Sequence, residues 1–268
     1  MKAGAATPGA GSVLLLSVCA LVVGAPSRAE PPDAAGAEDA ASAAEARAVH
    51  DPWQPLNRGI FAFNEFADRY FIEPIAIGWD TVVPDPVQHG IDNFFRNVGT
   101  PRRIANDLLQ GKPRKAGSDL GRFAINTSFG LLGFFDPAGA EGFPPADEDF
   151  GQTLGVWGVP PGPYLVLPLL GPSSPRDATG LAVETFVLSP EYYYIPFYVS
   201  YPLTGTRVVN TRSLVLETVR AERAAAFDFY AAVRSAHVQF RANQVRDRAE
   251  EPEDQDVDED FYYLEDEE

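Results

Sequence analysis

Prolines and glycines interrupt this chain so often that only short elements can run through its centre. Its 268 residues hold 24 Pro and 23 Gly at no fixed period, which excludes collagen-like and low-complexity architectures. Between the interruptions, apolar residues recur at three and four. After Asn57, the spacing of Ile60, Phe63, Phe66 or Ala67, and Tyr70 predicts an amphipathic helix of about four turns ending near Glu73-Pro74. Val87, Ile91, Phe94, Phe95 and Val98 repeat the period. Thr100-Pro101 offers an N-cap and first-turn proline for a further helix that Gly111 stops, and Leu120, Phe123, Ala124 and Thr127 mark another from about Lys115. No run alternates with period two, which disfavours a β-rich domain. The expected class is mainly α: one core domain of about 180 to 200 residues, a single bundle of short amphipathic helices with Gly/Pro-rich loops.

Both ends depart from this pattern. Lys2 precedes the apolar run Val13 to Gly24, and Ser27-Arg28-Ala29 follows it. At 1.5 Å per residue such a run falls well short of a hydrocarbon core of about 30 Å, so residues 1–29 read as a secretory signal cleaved before Glu30, the alternative being a retained anchor. Residues 30–49 read as a flexible tether and 50–205 as the core. Residues 206–247 read as a C-terminal segment of one long helix or two, with Arg207, Arg212, Arg220, Arg223, Arg234 and Arg241 on its outer face. From Glu250 onward there are twelve Asp or Glu and no Lys or Arg, so the formal charge of −17 leaves −5 for the other 249 residues. Residues 248–268 therefore read as a disordered acidic tail. With no basic stripe, nucleic acid is excluded as a partner. The only cysteine, Cys19, rules out an intramolecular disulfide and any Cys-based metal site. Two readings of it stand: a lipidation site, against which bulky Val18 and apolar Ala20 to Val23 argue, or a filler of the signal helix.

The middle of the chain is apolar yet irregular. Leu131-Leu132-Gly133-Phe134-Phe135 and Tyr164 to Leu170 lie among many Gly and Pro residues; greasy loops imply burial or contact with a membrane. Phe186 to Leu203 holds Tyr192, Tyr193, Tyr194, Phe197, Tyr198 and Tyr201 between Pro190, Pro196 and Pro202. These aromatics are candidates for a lipid interface, as Tyr at headgroup level is, or for ordinary core. Catalytic signatures are missing. His50, His89 and His237 share no ligand spacing, there is no G-x-S-x-G elbow, and Gly111-Lys112 does not complete a phosphate loop. Asp147-Glu148-Asp149 lacks the alternating ligands of a calcium loop and reads as solvated charge. No enzyme activity, metal or cofactor is expected.

The ordered residues resemble a known family. Asp51-Pro52-Trp53, Asn57-Arg58, Phe63-Asn64, Asn93-Phe94-Phe95-Arg96-Asn97, Pro101, Asn106 and Leu109-Gln110-Gly111 look like the opening of the VacJ/MlaA family. The likeness continues through Arg122-Phe123, Asn126-Thr127, Gly130, Gly133-Phe134, Asp136-Pro137-Ala138, Phe150 to Gly155, Trp157-Gly158, Gly162-Pro163-Tyr164, Leu167-Pro168, Gly171-Pro172 and Arg176-Asp177. It thins after Leu203, where His237 replaces a usual aromatic. The resemblance implies a ring of helices around an amphipathic channel in the inner leaflet of the Gram-negative outer membrane. It implies that the chain removes phospholipid mislocalised to the outer leaflet and hands it to a soluble periplasmic lipid carrier, often while docked on a trimeric porin. Two rival readings stand beside it: a non-catalytic envelope adaptor, and a lipid hydrolase whose site is assembled from distant segments. Gly130 and Gly133 bound a loop that either gates the channel or is a simple tight turn. Asp51, Asn57, Arg58, Asn64, Asn126, Asp136, Arg176 and Asp177 match the family pattern and are expected to cap and pair helices.

Overall fold

The computed structural model describes residues 51–144, 147–188 and 195–250. The signal segment with Cys19, the tether, His50, the acidic tail beyond Glu250, Tyr192, Tyr193, Tyr194 and the Phe197 side chain lie outside the described residues. The fold is mainly α, with one two-stranded sheet.

Helix α1 (Gln54–Ala67) does not stop at Pro74. It runs through a π turn (Asp68–Ile72) directly into α2 (Glu73–Val82). In a regular helix the ring of Pro74 would collide with the carbonyl four residues back. Here the N–H of Glu73 donates instead to the carbonyl of Asp68, five residues back, so the ladder widens before the ring arrives. Helix α3 (Asp85–Val98) follows, then α4 (Thr100–Leu109). Thr100 is not the expected cap: Gly99 holds that place, and the Thr100 hydroxyl donates to the Arg96 carbonyl at 3.3 Å. Gly111 does end α4, at φ 75°, a conformation glycine adopts without penalty.

Helix α5 (Pro113–Phe129) leads into the Gly/Pro-rich middle, which carries α6 (Pro137–Ala140) and α7 (Phe150–Val156). An antiparallel hairpin then pairs β1 (Leu165–Leu167) with β2 (Gly171–Ser173), with Val166 opposite Pro172. Helix α8 (Pro175–Val183) runs into a second π turn (Glu184–Leu188). The C-terminal segment is three helices: α9 (Phe197–Leu214), which contains Pro202, α10 (Leu216–Ala225) and α11 (Phe229–Glu250). The break before α11 is capped by Asp228, whose carboxylate accepts from the Ala231 N–H at 3.2 Å.

The packing forms a closed circuit. α1 lies on β1, β2 on α11, α11 on α7, α7 on α4, and α4 on α3; α3 and α2 both pack on α9, and α2 returns to α1 through the π turn. The apolar core is small. Phe61, Tyr164, Val166, Tyr230 and Val233 form one cluster, in which Phe61 packs edge-on to Tyr230 with centroids 5.4 Å apart. Val215 and Val219 form another.

Candidate functional site

The helices are amphipathic as their spacing predicts, but several are turned inside out. On α1 the buried residues are Asn57, Phe61 and Asn64, while Phe63, Phe66 and, in the π turn, Tyr70 and Phe71 are all more than half exposed. Helix α5 buries Ala116, Asp119 and Asn126 and exposes Leu120 and Phe129. Helix α4 buries Thr100, Arg103, Asn106 and Asp107 and exposes Leu108 and Leu109. Among the described residues, buried polar and charged side chains outnumber buried apolar ones by roughly two to one. Buried charge is costly unless paired, and a large exposed apolar surface marks contact with something other than water. The arrangement suits a body that is polar within and apolar around its outside.

The buried polar groups are joined to one another in local networks. Asn57 donates to Asp51 (2.8 Å) and to the Tyr164 carbonyl (2.9 Å), and accepts from the Val166 N–H (3.0 Å). Asp51 also accepts from the Tyr230 hydroxyl and pairs with Arg234 at 3.1 Å. Asn64 donates to the Leu167 carbonyl and accepts from the Leu169 N–H. The exposed Arg58 forms a fork with Asp228 and lies over the Tyr230 ring, 4.4 Å from its centre.

A second network contradicts the outward reading of the C-terminal arginines. The Arg212 side chain is fully buried and grips Asp68 through Nε (2.8 Å) and Nη2 (3.0 Å). Arg223 pairs with Glu65, Asp68 and Glu73, and Arg220 with Glu73 at 2.7 Å. Arg241 holds both Asp149 and Asp177. The signal missed is Glu65, Asp68 and Glu73 lying among aromatics: carboxylates in apolar surroundings require counter-ions, and the later arginines are the supply. Burial pushes the Asp149 and Asp177 carboxyls up, but the charge and hydrogen bonds of Arg241 outweigh it and hold both below the usual carboxylate range. Asp149 also caps α7 by accepting from the Gln152 N–H, and buried Glu148 accepts from Lys112 and Gln110, so this acidic trio is not solvated charge. His237 belongs to the buried groups as well. It is buried against Tyr164, and burial pulls its imidazole down to about 4.

The family-pattern residues Arg176 and Asp177 sit at the start of α8, where the Asp177 N–H donates to the capping Ser174 hydroxyl and Arg176 reaches the Asp177 carboxylate at 3.2 Å. Asp136 caps α6 by accepting from the Gly139 N–H, and also accepts from Asn126 (2.8 Å) and Arg122.

The loop bounded by Gly130 and Gly133 is pinned at its feet and apolar at its tip. The Asn126 carbonyl accepts from the N–H of both glycines, and Asn97 donates to Thr127 and to the Leu132 carbonyl. A Cβ on Gly133, at φ 93°, would run into Asn97, and one on Gly130 into the carbonyl of Phe135. Leu131 (φ 51°) and Leu132 (φ 58°) adopt the left-handed conformation and are 70% and 62% exposed. Of the aromatic strip, Tyr198 and Tyr201 are exposed on α9. No helix among the described residues is long and apolar enough to cross a membrane, and no group of His, Cys, Asp and Glu there could hold a metal ion.

The chain is similar to known proteins over most of its described length. The chain is 37% identical over 188 residues to an uncharacterised protein of Rickettsia felis, covering 70% of this chain and 75% of that one. It is 35% identical over 200 residues to the intermembrane phospholipid transport system lipoprotein MlaA of Haemophilus influenzae, covering 72% of this chain and 80% of that one. A solved structure described as the "structural basis for maintenance of bacterial outer membrane lipid asymmetry" superposes with a TM-score of 0.64 at 33% identity, over 73% of this chain and 98% of that one. The family model for MlaA lipoprotein matches residues 49–244, and this chain belongs to that family.

Proposed function

We propose that this protein carries intact phospholipid between membranes and so maintains the lipid asymmetry of the outer membrane. The observation that carries the reading is the inverted amphipathicity of α1, α4 and α5, whose buried faces hold Asn, Asp and Arg and whose exposed faces are aromatic and aliphatic, in a body whose elements pack in a closed circuit. A phospholipid needs a polar route for its headgroup and an apolar surface for its chains, and a helix with an exposed apolar face lies in one leaflet without spanning it. The names of the relatives, phospholipid transport lipoproteins, support the same reading.

In finer detail, the protein sits on the periplasmic side of the outer membrane, exported by its cleaved signal. It removes phospholipid mislocalised to the outer leaflet and passes it to a soluble periplasmic carrier, while docked on a trimeric porin. No bond of the lipid is broken. The loop from Gly130 to Gly133 acts as the gate, with Leu131 and Leu132 as its apolar tip, and Tyr198 and Tyr201 lie at headgroup level. The test is reconstitution into vesicles carrying a headgroup-labelled phospholipid. Accelerated loss of label to an added lipid acceptor, with the lipid recovered intact, supports the reading; a loss rate equal to that of protein-free vesicles would refute it.

A further inference from the structure

A cleft of about 430 Å³ opens between α2 and α10, and its walls are of two kinds. One is cationic, from Arg69, Arg220 and Arg223; the other is apolar, from Pro74, Ile77 and Ala224; Glu73 lies between them. The three guanidinium groups are not equivalent. Arg223 is committed to Glu65, Asp68 and Glu73. Arg220 is bound on one side to Glu73 and on the other, at 3.1 Å, to Glu217, whose side chain is 87% exposed. Such an exposed pair contributes little and is easily exchanged. Arg69 is exposed, and its guanidinium makes no hydrogen bond or ion pair among the described residues. With Arg212, Arg220 and Arg223 all held by carboxylates, Arg69 is the cleft's cation without an ion-pair partner among the described residues.

Its position adds the second requirement. Arg69 belongs to the π turn whose next residues, Tyr70 and Phe71, are 63% and 61% exposed and belong to the aromatic cluster with Phe66. A guanidinium binds phosphate with directed, charge-assisted hydrogen bonds. The volume is at the lower end of the range for ligand pockets, about 300 to 1,000 Å³, which is room for a headgroup but not for acyl chains as well. We infer that this cleft is a subsite for the phosphate of a phospholipid headgroup, with Arg69 as the binding residue and Arg220 as the second donor once it leaves Glu217. The inference rests on the transport reading and adds to it a place where the headgroup is held.

The test measures binding of dihexanoyl-phosphatidylglycerol and, separately, of inorganic phosphate to the full chain, its Arg69→Gln variant and the control Arg246→Gln, which removes the same charge from α11. Arg69→Gln should weaken the lipid probe about tenfold or more with an unchanged melting temperature, because Arg69 has no partner to lose; Arg246→Gln should bind as the parent does. If Arg69→Gln bound the lipid probe as tightly as the parent, the subsite would be overturned while the transport reading stood. If inorganic phosphate bound as tightly as the lipid probe, the assignment to lipid would fall. A parent chain that bound no lipid probe would overturn both.

Discussion

Asn57 and Asn64 stand two helical turns apart on α1 and clamp the two ends of β1: Asn57 donates to the Tyr164 carbonyl just before the strand and accepts from the Val166 N–H, while Asn64 donates to the Leu167 carbonyl and accepts from the Leu169 N–H in the turn beyond. The free edge of a three-residue strand is thus closed by two amide side chains in place of a third strand, which leaves β1 no template for another chain. Replacing Asn57 with Ala strands the Val166 N–H and the Tyr164 carbonyl in a fully buried place. A loss of about 2 to 4 kcal/mol is expected from unpaired groups of this kind, and a smaller loss for Asn64→Ala, whose surroundings are less closed. Denaturant midpoints of the two variants check the order; equal effects, or none, would show that the hairpin holds itself.

Leu131 and Leu132 hold a backbone conformation that glycine takes freely and leucine resists. Each costs about 1 to 2 kcal/mol, and with both side chains exposed the hydrogen bonds of the loop, not apolar burial, hold the conformation. Strain kept at an exposed apolar tip is what the proposed gating and membrane role of this loop would require. Leu131→Gly with Leu132→Gly is therefore predicted to keep or raise the melting temperature while reducing association with phospholipid vesicles several-fold. Flotation with vesicles and thermal melts of the same samples decide it. A lower melting temperature with undiminished flotation is the contrary result. Gly133→Ala, which drives a methyl into Asn97, is expected to destabilise.

Asp107 is fully buried, and neither of its carboxylate oxygens has a hydrogen-bond partner within the described protein. Burial, with the negative charges of Asp119 and Glu148 beside it, pushes its carboxyl up to about 7 against the opposing pull of Lys112 and Lys115. The folded value lies above the unfolded one, near 3.9. Between the two the folded state holds the extra proton, so stability falls as pH rises from about 4 through about 7, and the penalty is fully present only above that. Asp107→Asn should therefore stabilise by roughly 2 to 4 kcal/mol at pH 8 and by little at pH 4.5. Unfolding measured at both values tests the sign; a gain that does not change with pH would contradict it.

Arg212 has no exposed side-chain surface and meets Asp68 through two parallel bonds, with Glu73 at 3.5 Å. Removing one partner of a buried pair costs about 3 to 5 kcal/mol, since the other charge stays behind. The stability order Arg212, Arg212→Lys, Arg212→Ala is expected, because lysine keeps the charge and loses the fork. Added salt should scarcely change the differences, as the pair is shielded from solvent. A strongly salt-dependent loss would mean that water reaches Asp68.

The sequence reading captured periods better than directions. Phe63, Phe66 and Tyr70 do form a stripe on one helix, but spacing alone cannot say whether that stripe faces core or lipid; Asn64 next to Phe63 is the residue inside. The passage of the helix through Pro74 was hidden because a π turn is a local change of ladder that leaves no apolar pattern. Strand β1, at three residues, is too short to display an alternation. Asp51 and Asn57 stood out in the opening motif, yet Tyr230, which donates to Asp51, lies 179 residues away, and Arg241 lies 92 from Asp149. Pairings at that range are set by the closure of the whole circuit, which no local pattern encodes.

The most direct measurement is mass spectrometry of the lipid that accompanies the protein when it is purified from outer membranes in mild detergent. Intact diacyl phospholipid, present in stoichiometric amount, is the predicted result. A protein that brings no lipid with it, or that yields lysophospholipid and free fatty acid, would contradict a carrier that passes the whole molecule along a polar interior.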